Sequence, residues 1–262
     1  DVSTASYSGK SFSVAAEDLD AIGIAFSPYG TTLFVTGNAT DTVYQYSLST
    51  AFDIGTASYS GKSFSVGPGV TEPHGIAVDL TGSRMYVANV ADQTVYQYAL
   101  TTAFDVSTAS YGGTLFIPTL QSGVIIGIAI SPSGDDIFIT ENYDFVGDFA
   151  DYRGVYQYSL STAFDISTAG YTGPSFSVAG GDTNPLGLAL SPDGTTLLVS
   201  GNDTDSVYQY SLSTAFDIGT AGYTGKSFSV AAEDTFPTGV AVDLTGSRMY
   251  VMGSGATDSV YQ

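Results

Sequence analysis

Carboxylates dominate the positions that could do chemistry. Glu17, Asp18, Asp182, Glu233 and Asp234 stand just ahead of short apolar segments, in AAEDLDAI (15 to 22), AGGDTNPL (179 to 186) and AAEDTFPT (231 to 238). Hard oxygen ligands collected from several such stretches suit calcium, which takes about six to eight of them. The competing reading is that these acids cap loops and solvate a surface. A second candidate is His74, the only histidine, which follows Glu72 in EPHGIAVD. A third is the stretch TENYDFVGDFADYRG (140 to 154), where Tyr143, Asp144, Asp148, Tyr152 and Arg153 mix ring faces with hydrogen-bonding groups. That mixture fits a sugar or a protein edge, or it tucks the stretch onto its own scaffold.

What must position these residues is a repeat. VYQYSLSTAFD begins at Val43, Val155 and Val207, VYQYALTTAFD begins at Val95, and the phrase breaks off after VYQ at Gln262. Copies therefore begin at Asp1, Asp53, Asp105, Asp165 and Asp217. Each holds four short segments rich in Val, Ile, Tyr, Phe and Thr, bounded by Gly, Pro, Asp, Asn and Ser, which predicts strands and turns. SPYG, DLTG, SPSG and SPDG predict tight turns with glycine in the left-handed region, so the strands form an antiparallel meander. Segments apolar on both faces, such as LFV (33 to 35), need cover on both sides, and only sister sheets can give it.

Four-stranded sheets covering one another at this period predict an all-β, five-bladed β-propeller, read as one domain over residues 1 to 262. Inner strands fall at 22 to 26, 75 to 79, 127 to 131, 187 to 191 and 239 to 243, and blades run about 22 to 66, 75 to 117, 127 to 178 and 187 to 230. The fifth, 239 to 262, lacks an outer strand, and SYSGKSFSV (6 to 14) is an outer strand lacking a blade. Pairing them closes the ring and hides both edges. Gln45, Gln97, Gln157, Gln209 and Gln262 recur mid-strand and predict a shared hydrogen-bonding element.

The stretches PHGIAVDLTGSRMYVANVADQTVYQY and LGLALSPDGTTLLVSGNDTDSVYQY resemble propeller repeats of the NHL and YVTN kind, and the whole unit is similar to repeats in marine bacterial and phage proteins. The resemblance covers essentially the whole chain and implies fold more than activity. It also implies a role for His74, because some NHL-like lyases place a metal-binding histidine where that strand begins. Those sites draw several histidines from different blades, and the places taken as matching here are Ala21, Ile126, Leu186 and Thr238, so a zinc site is not expected.

Composition narrows the partners. With 26 acids against 6 bases the net charge is -20, which disfavours phosphate backbones and anionic lipid. Nucleic acid and membrane insertion are not expected. There is no cysteine, hence no disulfide, thiol nucleophile or thiolate site. A chain without an initiator methionine reads as a processed or excised piece, and an extracellular or virion-associated monomer is expected.

Near-identical blades leave little asymmetry for catalysis, so the sequence favours a non-enzymatic recognition or scaffold module that binds a protein or glycan on the variable-loop face, with calcium as a candidate ion. Its alternative is a carbohydrate-active hydrolase of the five-bladed furanosidase type, with paired carboxylates around a central channel.

Overall fold

A computed structural model of the chain describes residues 1–67, 69–116, 124–142, 153–255 and 257–262. After β1 (Ser11–Ser13), the first blade comprises β2 (Ala21–Phe26), β3 (Thr32–Gly37), β4 (Thr42–Leu48) and β5 (Ala57–Ser65). The second comprises β6 (Pro73–Val78), β7 (Arg84–Asn89), β8 (Thr94–Leu100) and β9 (Ala109–Phe116). The third comprises β10 (Val124–Ile130), β11 (Asp136–Asn142), β12 (Gly154–Leu160) and β13 (Ala169–Ser177). In the fourth are β14 (Pro185–Leu190), β15 (Thr196–Gly201), β16 (Ser206–Leu212) and β17 (Ala221–Ser229). The fifth joins β18 (Pro237–Val242), β19 (Met249–Gly253) and β20 (Ser259–Tyr261) to β1, in the order β1-β20-β19-β18. All five sheets are antiparallel, and the ring closes as the repeat predicts, with Ser11 opposite Tyr261, Phe12 opposite Val260 and Ser13 opposite Ser259.

The recurring glutamine joins blade to blade. Its Oε1 accepts the N–H of the first residue of the 3-10 turn before the next blade's outer strand: Val106 for Gln45, Ile166 for Gln97 and Ile218 for Gln157, at 3.0 to 3.1 Å. Gln209 holds Val2 and Gln262 holds Ile54 in the same way, so two of the five links span the closure. The aspartate before each 3-10 turn caps it, as Asp53 does by accepting from Gly55 N–H. Three of these caps also meet a lysine of the preceding blade's outer strand at 2.7 Å, in Lys10–Asp53, Lys62–Asp105 and Lys226–Asp1.

Packing between blades fixes the axis. Each inner strand carries a bulge at its glycine, and the glycine presses on the next blade: a Cβ on Gly23 would lie 2.3 Å from the His74 carbonyl oxygen, and one on Gly75 would lie 2.5 Å from that of Ile126. Gly127, Gly187 and Gly239 repeat the contact with Leu186, Thr238 and Ile22. The N–H freed by the bulge is received by a hydroxyl from the second strand, Thr36 for Gly23, Thr140 for Gly127 and Ser200 for Gly187. The Thr36 and Thr140 hydroxyls donate onward to the carbonyls of His74 and Leu186. Only a cavity of about 20 Å³ is left on the axis, lined by this apolar rim. Among the described residues the expected central channel is therefore absent. A ring of five blades is too tight to leave one once backbone meets backbone at the glycines.

Candidate functional site

The loops ahead of the inner strands and those after the second strands leave from the same side of the disc, because they bond to each other. Asp18, in the first kind, accepts from Ala39 N–H at 3.3 Å, Thr40 N–H at 3.0 Å and the Thr40 hydroxyl at 2.6 Å, in the second kind, and from Asp20 N–H at 2.8 Å. Asp182 repeats this with Thr204 N–H, the Thr204 hydroxyl and Asn184 N–H. Both carboxylates lie over a glycine, Gly37 and Gly201, whose added Cβ would strike them at 2.2 to 2.3 Å. In the second blade the roles are exchanged. Val70 stands in the aspartate's place, Asn89 stands in the glycine's, and the Asn89 Oδ1 accepts Glu72 N–H while its Nδ2 donates to Asp92.

Asp234 is the exception among the clasps. Its Oδ1 accepts Phe236 N–H at 2.8 Å and Gly255 N–H at 3.2 Å, but its Oδ2 is buried with no partner among the described residues. The loop GSGATD (253 to 258) is one residue longer than GNATD (37 to 41), and Thr257 keeps the bond to the Tyr261 hydroxyl that Thr40 makes to Tyr44, but makes no bond to Asp234 among the described residues.

Of the five proposed calcium ligands, then, Asp18, Asp182 and Asp234 are buried and spend lone pairs on backbone N–H groups. Glu17 accepts the Tyr46 hydroxyl at 3.1 Å, and Glu233 is half-buried between the fourth and fifth blades. The fold spreads them over three blades, and among the described residues no group of three or more histidine, aspartate or glutamate side chains is placed to share a metal ion. Tyr143, Asp144, Asp148 and Tyr152 lie outside the described residues. Arg153 reaches the fourth blade, its Nη1 donating to the Thr183 carbonyl at 3.2 Å. Glu72 is exposed on the same face.

His74 sits where its blade meets the axis. The structurally equivalent residues are Ile22, Ile126, Leu186 and Thr238, so Ile22 replaces Ala21 in the comparison made from sequence. Its imidazole is largely buried, its Nδ1 has no partner among the described residues, and burial lowers its pKa to about 4, against the pull of the nearby Asp20 carboxylate. A histidine so placed is neutral at pH 7. Asp20 accepts the Asn38 amide at 2.6 Å and faces a third group, Asp258. Burial, and then the charges of Asp20, Asp18 and Asp234, hold the Asp258 carboxyl above the usual range, although Ala21 N–H at 3.4 Å pulls the other way. Positive φ angles mark the turn residue at Asp41, Gln93, Asp205 and Asp258. Gln93, not Asp92, is thus the second blade's member of that set.

Blades five, one and two consequently bring together, at one sector of the axial rim, a neutral imidazole, a carboxylate and a carboxyl that retains its proton to higher pH. Glu72, Asn184 and Phe236 stand where Asp20 stands in the first blade, so the trio occurs in one sector among the described residues. The sequence singles out His74, and counts Asp20 only among the acids ahead of the inner strands that could hold calcium; Asp258 reads there as a turn residue. The available signal was the difference between copies at equivalent positions.

No protein-family model matches the chain, and no curated protein is significantly similar to it. Solved structures are similar in fold. One is a candidate 6-phosphogluconolactonase from Bacteroides uniformis, with a TM-score of 0.53 and 15% identity over 80% of this chain and 55% of that one. Another is the periplasmic gluconolactonase of Pseudomonas aeruginosa, with a TM-score of 0.51 and 18% identity over 80% of this chain and 54% of that one. A functionally unknown protein from Desulfotomaculum acetoxidans has a TM-score of 0.50 and 16% identity over 91% of this chain and 69% of that one. The chain spans about half the length of the two lactonases. The lactonase names of these two neighbours run against the expectation of a non-enzymatic recognition or lectin-like module and stand nearer to its hydrolase alternative.

Proposed function

We propose that this propeller is a hydrolase of small, neutral, polyhydroxylated esters of the sugar-lactone class, acting on the loop face beside the axial rim. The observation that carries the reading is the single asymmetric trio of His74, Asp20 and Asp258 on an otherwise repeating scaffold. Lactone opening needs a base to take a proton from the attacking water and an acid to protonate the departing ring oxygen. Asp20 is suited to the first role, with Asn38 holding it in place. Asp258, whose carboxyl is held above the usual range, is suited to the second. His74, uncharged at neutral pH, offers a hydrogen-bonding edge for substrate without repelling or neutralising either acid.

The charge pattern selects among lactones. Five of the six bases lie away from this face, at the seams and inner hairpins, paired as Lys10–Asp53, Lys62–Asp105, Lys226–Asp1, Arg84–Asp79 and Arg248–Asp243. Arg153 alone reaches the loop face, among at least ten carboxylates there. A phosphorylated sugar would meet like charge, so the substrate is unphosphorylated. No step in this reading passes through a metal.

Hydrolysis of glucono-1,5-lactone and of its 6-phosphate, followed by base uptake against buffer alone, tests the reading. The neutral lactone should be opened and the phosphate ester should react at least tenfold more slowly. Asp20→Asn should lower kcat by about a hundredfold, as loss of a general base does, with an unchanged melting temperature. Rates equal to buffer for both lactones and a panel of related sugar esters would remove the proposal.

A further inference from the structure

Two apolar side chains stand out on the loop face beside the trio. Leu19, at 74%, is the most exposed large apolar residue among those described, and Phe236 is 40% exposed. Neither joins the apolar clusters packed between the fourth, fifth and first blades. Both are exceptions to the repeat. Thr71, Thr183 and Thr235 stand where Leu19 stands, and Asp20, Glu72 and Asn184 stand where Phe236 stands.

The loops do not need either residue. The same clasp forms whatever the side chain: Asp20 N–H donates to Asp18 at 2.8 Å, Asn184 N–H to Asp182 at 2.7 Å and Phe236 N–H to Asp234 at 2.8 Å. The pairing with the neighbouring loop is also shared, with Asn38 N–H on the Asp20 carbonyl, Asn202 N–H on that of Asn184 and Ser254 N–H on that of Phe236, at 2.9 to 3.1 Å. What differs is the side chain at this pairing. Asn38 is long enough to bond the Asp20 carboxylate, whereas Ser254 and Gly255 pass beside Phe236 without a side chain long enough to cover its ring.

Asp258 lies between the two apolar groups. Its Oδ1 accepts the N–H of Ala21, one residue beyond Asp20, and it feels the charges of Asp20 and Asp18 from the first blade and of Asp234 from its own. Leu19 is the residue between Asp18 and Asp20, and Phe236 is two beyond Asp234, so an apolar side chain flanks the carboxyl from each blade. One exposed leucine on a protein surface needs no explanation. Two apolar residues, each replacing a polar one of the sister loops and each beside the same reacting group, form an apolar seat next to a polar one.

We propose that the ester taken at this site carries an alkyl arm, which lies over Leu19 and Phe236 while its hydroxylated head meets Asp20 and His74. The inference rests on the reading of the trio as the place of hydrolysis, and it narrows the substrate to an amphiphilic lactone or sugar ester rather than a bare sugar lactone. The reaction itself is unchanged. The water oxygen bonds to the acyl carbon and its proton passes to Asp20, the ring C–O bond breaks with its electron pair on the ring oxygen, and that oxygen takes the proton of Asp258. The hydroxy acid leaves with its arm.

Calorimetry tests the seat by comparing n-octyl β-D-glucoside, below its micelle concentration, with methyl β-D-glucoside on the full chain. Both are repeated on the double variant Leu19→Thr, Phe236→Asn, which installs residues that the sister loops already fold with. The octyl glucoside should bind at least about tenfold more tightly than the methyl glucoside, and the double variant should lose the difference. Turnover reads the same seat: half-burial of a methylene is worth about twofold, so δ-decalactone should exceed δ-hexalactone about sixteenfold in kcat/KM on the native chain and less than about threefold on the variant. Equal binding of the two glucosides, a preference that survives in the variant, or a flat lactone series would each overturn the inference. The two readings fail separately. Opening of glucono-1,5-lactone without a preference for the octyl arm removes the seat and leaves the trio, whereas an octyl preference that the variant abolishes, on a chain that opens no lactone, removes the trio and leaves the seat.

Discussion

The axial rim and the loop face are made from adjacent residues of the same five inner strands, yet they obey opposite rules. At the rim, Gly23, Gly75, Gly127, Gly187 and Gly239 do one job five times, and a single methyl group anywhere in the ring collides with the backbone of the next blade. Three residues upstream, Asp20, Glu72, Asn184 and Phe236 differ in charge, size and polarity without disturbing the strand that follows. Backbone-to-backbone contact leaves no freedom. Loops clasped by a carboxylate leave a great deal, because the clasp holds main chain and lets side chains vary. The contrast teaches where chemistry can evolve on a repeating ring: at the first residue that no longer touches a sister blade.

The largest effect that would test this contrast is at the rim. Gly23→Ala should destabilise the protein by about 4 kcal/mol or prevent folding, because its Cβ lies 2.3 Å from the His74 carbonyl oxygen and 2.7 Å from the Thr36 hydroxyl. Urea unfolding measures it, and a loss below about 1 kcal/mol would show that the hub can relax. Next in size comes the clasp. Asp18→Ala strands three backbone N–H groups and a hydroxyl and should cost about 3 kcal/mol, whereas Asp234→Ala, with two N–H partners and an idle Oδ2, should cost about 1. Equal losses would mean that the extra residue in the fifth blade's loop does not weaken its clasp.

The third effect is one of pH. His74 titrates near 4 in the folded chain and near 6.5 when unfolded. Between those values the unfolded state binds a proton that the folded state refuses, so this contribution is fully present above about pH 6.5 and is lost as pH falls toward 4. His74→Gln should flatten the stability profile in that window by about 2 kcal/mol, read from melts at pH 7 and pH 4.5. The smallest effect belongs to the seam side. Lys62→Ala breaks an ion pair with Asp105 whose lysine end is exposed to water, and should cost less than about 1 kcal/mol and weaken in high salt.

Much of the ring was legible in the letters, and the reason is physical. A repeat that ends three residues into a phrase whose continuation stands at the other end has one way to hide both strand edges, and the pairing of Ser11–Ser13 with Ser259–Tyr261 follows. The glutamines were readable as linkers for a similar reason, since five buried amides in one register need five equivalent partners. The closed hub was not readable. A glycine's contact with the next blade leaves no mark on the periodicity of its own strand. Nor was the work of Asp18 and Asp182 visible, because a carboxylate that accepts backbone N–H groups has the same letter as one that awaits a metal ion. An offset of one residue misled the matching of His74 to Ala21. Bulges and loops of unequal length break gapless counting, and the register shifts sit beside the very residues being compared.

The sealed hub has a further result for traffic. Many ring-shaped proteins let water or small solutes pass along their axis, so that a reactant and its product can use different doors. Here the bore is narrowed by the five rim glycines with Ile22, Ile126, Leu188 and Thr238, with room for about 20 Å³ among the described residues. A small solute that arrives beside Asp20 must therefore depart on the same face.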